Sequence, residues 1–167
     1  MLPILVGIPV LILAAMLQSV AVSQIQLLNG SADIVLLTVV SWVMNDQVRT
    51  PWSWAIMGGL AVGLLSQLPV WMVLGTYLAI TALALALKRR VWQIPLVALL
   101  SFAAVATLIW QVASFTMLLI LGVPLNPAAS FNLILLPSLV LNVLLAIPIQ
   151  AVVAEIANLV HPANPDE

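Results

Sequence analysis

Charge is nearly absent from this chain, and no other feature narrows its fold so far. Four basic and five acidic residues are spread over 167 positions, and 65% of the residues are hydrophobic. Soluble domains carry roughly a quarter of their residues as charges. Nine charged side chains, four plus five, cannot wet the surface of a chain this long. The chain is therefore expected in a lipid bilayer, where backbone N–H and C=O groups must pair within the protein. Strands of a transmembrane barrel need alternating polarity, which these apolar runs lack. The expectation is an all-α integral membrane protein.

A spanning helix takes about 17–25 apolar residues, and the sequence predicts six segments. The first runs from Leu2 to Val22 and ends at Ser23-Gln24. No Lys or Arg precedes Arg49, so the basic region of a signal peptide is missing. This segment is expected to stay as a transmembrane helix. The second begins near Ala32-Asp33, where Asp33 suits the positive end of a helix dipole. It fades at Asn45-Asp46-Gln47, short enough to enter a membrane only partway. Pro51 is expected as the first residue of the third segment, Trp52–Ser66. Gln67-Leu68-Pro69 turns into the fourth, Val70–Leu87, which stops at Lys88-Arg89-Arg90. The fifth starts between Trp92 and Pro95 and reaches about Leu121; the sixth takes Leu133 to about Val160. Between them "GVPLNPAASFN" (122–132) reads as a loop by its glycine, prolines and asparagines. Residues 1–160 thus form a single polytopic transmembrane domain, and 161–167 a polar C-terminal tail.

Orientation follows from the basic residues. Arg49 lies between the second and third segments; Lys88, Arg89 and Arg90 lie between the fourth and fifth. With six helices these loops share one side, and the positive-inside rule makes it cytoplasmic, with both termini. Trp42, Trp52, Trp54, Trp71 and Trp92 fall near segment ends and are expected to act as interfacial anchors.

Little here points to chemistry. The chain has no cysteine, which excludes disulfides, thiolate metal sites and a cysteine nucleophile. Its net charge of −1 suggests no nucleic-acid partner. The only histidine, His161, stands in the tail. Asp33 and Asp46 bracket one short helix, too far apart for a carboxylate dyad. Glu155 lies far enough along the last segment to reach the interface. Asn29-Gly30-Ser31 matches a glycosylation sequon, and the same residues spell a turn. Neither a catalytic site, a metal site nor a cofactor is expected.

The informative residues are small or neutral-polar ones at helical spacing. The third segment carries Gly59 and Gly63, followed by Gln67; the last carries Ser138, Asn142, Ala146 and Gln150, each four apart. Ala15, Ser19 and Ser23 repeat that spacing in the first, with Gln18 adjacent. In lipid, helices associate through close contact of small residues and through interhelical hydrogen bonds. These faces are expected to serve internal packing first, a partner's helix second, and a ligand pocket third.

Four stretches carry a resemblance: "LQS" (17–19), "GSADIVLLTVVSW" (30–42), "GGLAVGLLSQL" (58–68) and "LPSLVLNVLLAIPI" (136–149). Together they resemble the rod shape-determining MreD family almost end to end. Gln67 stands where that family is expected to have an acid. The resemblance implies a six-helix transmembrane bundle similar to the S components of energy-coupling-factor vitamin transporters. It implies a non-enzymatic subunit of the bacterial cell-elongation machinery, in the cytoplasmic (inner) membrane, supporting peptidoglycan synthesis and cell shape. MreC is the implied partner, with MreB, RodA and a class B transpeptidase contacted directly or indirectly. A substrate-binding subunit of a vitamin transporter is the alternative.

Overall fold

The computed structural model describes residues 2–24, 31–48, 50–88, 95–124 and 126–160. They are helical nearly throughout: α1 (Leu2–Gln24), α2 (Ile34–Met44), α3 (Pro51–Leu65), α4 (Val70–Lys88) and α5 (Pro95–Ile120). A single turn, α6 (Pro127–Ser130), and a π-helical turn at Phe131–Leu135 then lead into α7 (Leu136–Val160). Three stretches, Val70–Lys88, Leu96–Ile120 and Phe131–Val160, are long and apolar enough to cross a bilayer. The chain is a helical membrane protein.

The shortest of the six main helices lies at the centre. α2 packs against α1, α3, α4, α5 and α7, and every residue from Val35 to Val43 is buried. Its 11 residues at about 1.5 Å each give roughly 16 Å. A hydrocarbon core is about 30 Å thick, so the helical part of this segment does not span it by itself.

Glycine in α3 governs how closely two neighbours approach. A Cβ on Gly59 would lie 3.2 Å from the Leu74 Cα, and one on Gly63 3.2 Å from the Val70 Cα. Both therefore face α4 at near backbone contact, the geometry that small-xxx-small spacing permits. Gly58, on another side, would place a Cβ 2.7 Å from Val39 Cγ2 in α2.

Two tryptophans depart from expectation. Trp42 and Trp54 are fully buried and stack with centroids 3.8 Å apart and planes 10° from parallel. They join α2 to α3 as core residues because both face inward at that contact. Trp52 and Trp71 are exposed; Trp92 lies outside the described residues. The prolines of the last segment also differ in effect. Pro137 sits in the first turn of α7, directly after the π-helical turn. A proline ring clashes with the carbonyl four residues back, and a widened π turn relieves that clash. Pro148 lies inside α7, which continues to Val160.

Candidate functional site

A helix that begins inside an apolar bundle has N–H groups with no intrahelical partner. In hydrocarbon each must be met by protein. The start of α2 meets them with side chains from other helices. Asp33 caps its own helix, accepting from the Leu36 N–H at 3.0 Å. Gln18 Oε1, from α1, accepts from the Val35 N–H at 3.0 Å. From α7, Asn142 Oδ1 accepts the Asp33 N–H at 2.8 Å, and Ser138 Oγ accepts the Ser31 N–H at 3.0 Å. Four N–H donors between residues 31 and 36 thus find acceptors on α1, on α7 and on the cap residue Asp33.

The acceptors are themselves held. Asn142 Nδ2 donates to Thr107 Oγ1 of α5 at 3.0 Å, and that hydroxyl donates to the Ala103 carbonyl at 2.8 Å. With its proton committed to Ala103, Thr107 can only accept from Asn142, which fixes which way the carboxamide faces. The Tyr77 hydroxyl of α4 donates to Asp33 Oδ1 at 3.4 Å. Tyr77 is steadied by an edge-on contact with Trp110, centroids 5.6 Å apart. Asp33, Ser138 and Asn142 are each at most 5% exposed. One network therefore ties α1, α4, α5 and α7 to the first turn of α2.

The other end of α2 is held differently. Lys88, in the last turn of α4, donates from Nζ to the carbonyls of Val43 at 3.1 Å and Asn45 at 2.6 Å. It also pairs with Asp46 Oδ1 at 3.2 Å. A cation beside the last carbonyls complements the negative end of the helix dipole.

Gln18, Ser138 and Asn142, all singled out in the sequence, thus come together; other candidates do not join them. Ser19 is exposed and bonds back to the Ala15 carbonyl at 3.0 Å. Gly59 and Gly63 lie at the α3–α4 contact instead. Gln67 is exposed in the bend after α3. The helix ends at Leu65, with Ser66 turned extended as its C-cap, so the four-residue repeat breaks before Gln67. Glu155 is exposed on α7. Arg49, Arg89, Arg90 and His161 lie outside the described residues.

Sequence reasoning missed Thr107, Tyr77 and the capping role of Lys88. Tyr77 carried a signal, as the chain's one tyrosine set within an apolar helix. Thr107 carried none, since threonine in a membrane helix commonly bonds its own backbone.

Chemically the network holds one carboxyl, one phenol, two carboxamides and hydroxyls, each engaged with backbone or with another member. Among the described residues no three His, Cys, Asp or Glu side chains gather where they could hold a metal. Beside the network a cleft of about 320 Å³ opens between α1, α2 and α3, lined by residues that include Ala15, Gln18, Val35, Val62 and Ser66. No family model matches the chain, and the searches of curated proteins and of solved structures likewise found no match.

Proposed function

We propose that this chain is a non-enzymatic membrane subunit of the rod-shape elongation machinery, of the MreD kind, acting as a transmembrane partner of MreC. In that reading it resides in the bacterial cytoplasmic membrane with both termini inside. One observation carries most weight. The polar residues of three stretches that resemble that family, Gln18, Asp33, and Ser138 with Asn142, meet at a single place, the start of α2. The fourth stretch supplies the glycines that bring α3 onto α4. The shared residues thus serve to build a particular bundle. Polar groups engaged within a bundle suit a scaffold, whose work is to present a shaped surface to other membrane helices. Co-purification from bacterial membranes tests this directly. Recovery of MreC with the tagged chain, and rescue of rod shape in cells depleted of their own subunit, are expected. A chain that reaches the membrane but recovers no MreC and leaves the cells round would refute the proposal.

The cleft beside Gln18 favours a second reading, a ligand-binding subunit of a vitamin transporter. Small-molecule sites are apolar concavities with a few convergent polar groups, and Gln18, Ser19 and Ser66 give this cleft such groups. Recovery of an ATPase module in place of MreC, with stabilisation by an uncharged vitamin, is what this reading predicts.

A further inference from the structure

Gln150 belongs to the same four-residue repeat as Ser138 and Asn142, yet the network at the start of α2 does not use it. The register of α2 against α7 indicates what it faces. Asp33 bonds Asn142, 109 positions later. One turn on, Leu37 and Ala146 share a buried cluster, and 146 − 37 is again 109. Extending that register by four more residues on each helix would bring Ser41 opposite Gln150.

Both have hydrogen-bonding atoms that are buried and unmet. Ser41 is 1% exposed, and neither its Oγ nor Gln150 Oε1 has a partner within the protein. Five hydroxyls of the bundle bond back along their own helices, whereas those of Ser41, Thr81 and Ser114 have no partner within the protein. Ser19, Thr38, Thr76, Thr107 and Thr116 all donate to the carbonyl four residues back. Ser41 does not, so its hydroxyl is free to donate elsewhere. Leaving a buried donor and a buried acceptor both unmade is costly. Ordering one water between them costs little by comparison.

We propose that a single ordered water bridges Ser41 and Gln150, forming a third polar rung between α2 and α7 after Ser31–Ser138 and Asp33–Asn142. The water accepts from the Ser41 hydroxyl and donates to Gln150 Oε1, which gives it the two polar partners that a buried water requires at minimum. The repeat on α7 is then a ladder, its first two rungs direct and its last one hydrated.

A double-mutant cycle tests the rung in the full-length protein, using Ser41→Ala, Gln150→Leu and the pair, with unfolding measured in mixed micelles. Each single change should shift the unfolding equilibrium about threefold, the scale of one interhelical bond in a membrane. The pair should shift it by no more than either alone. Independent, multiplying losses, or no loss in either single variant, would overturn the proposal. A high-resolution experimental structure gives the second readout, one that needs no variant to fold. Density for a water within hydrogen-bond distance of both atoms supports the rung; a direct Ser41–Gln150 bond or a dry contact contradicts it.

Discussion

The two ends of α2 solve the same problem with opposite chemistry. At its start, unmet N–H groups are taken up by two carboxamide oxygens, a serine hydroxyl and the helix's own Asp33. At its finish, unmet carbonyls are taken up by one ammonium group, that of Lys88. The surroundings explain the choice. Asn142 is the seventh residue of α7 and Tyr77 the eighth of α4, both well inside long apolar helices. A cation there would be desolvated at a cost of several kcal/mol, whereas a carboxamide fits once its few bonds are made. Lys88 ends its helix, and its partner Asp46 is half exposed, at 53%. A charge is tolerable at that end because water or headgroups share it. A helix that does not span the bilayer by itself can therefore keep one end wet, while its other end has to be supplied by neighbours.

That contrast orders the expected losses. Asp33→Ala should be the most damaging. It removes the cap, about 1–2 kcal/mol, and strands the buried Tyr77 hydroxyl, for about 1–3 kcal/mol more. Reversible unfolding in mixed micelles reads this out. Asn142→Ala comes next, at about 2 kcal/mol, because it leaves the buried Asp33 N–H without an acceptor. Comparing it with Asn142→Leu separates lost bonding from added bulk. Lys88→Met should cost only about 1 kcal/mol, since water can reach the freed carbonyls. An equal cost for Lys88→Met and Asn142→Ala would break the contrast between the ends. Smallest is Asp46→Asn, a few tenths of a kcal/mol for an exposed ion pair. Whatever it costs should vanish in high salt.

Much of the architecture was legible because length and apolarity decide it. The segment read from Val70 to Leu87 is α4 to within a residue, and the third segment is α3 shifted by one. Helix ends were marked by proline, by serine and by the basic run. The place of α2 was not legible. Its shortness was plain, but apolar residues all round a helix fit a lipid-facing segment and a central one equally. The burial of Trp42 and Trp54 was hidden for the same reason. Tryptophan near a helix end usually marks the interface, and only the central position of α2 turns it inward. At the polar site, spacing exposed the face carrying Ser138 and Asn142. It could not say that their acceptors meet backbone N–H groups, because a backbone partner leaves no mark in sequence.

The central claim is that α7 holds the segment leading into α2, and a disulfide tests it most directly. The chain has no cysteine of its own, so introduced pairs report without background. The Ser31 N–H lies 3.0 Å from Ser138 Oγ, close enough for cysteines at 31 and 138 to bond once oxidised. Val140 is exposed and provides the control. In native membranes, the Ser31→Cys/Ser138→Cys pair should oxidise to a cross-linked monomer, read as protection of both thiols from a mass tag, while Ser31→Cys/Val140→Cys stays reactive. Free thiols in both pairs, or equal cross-linking of the two, would contradict the account.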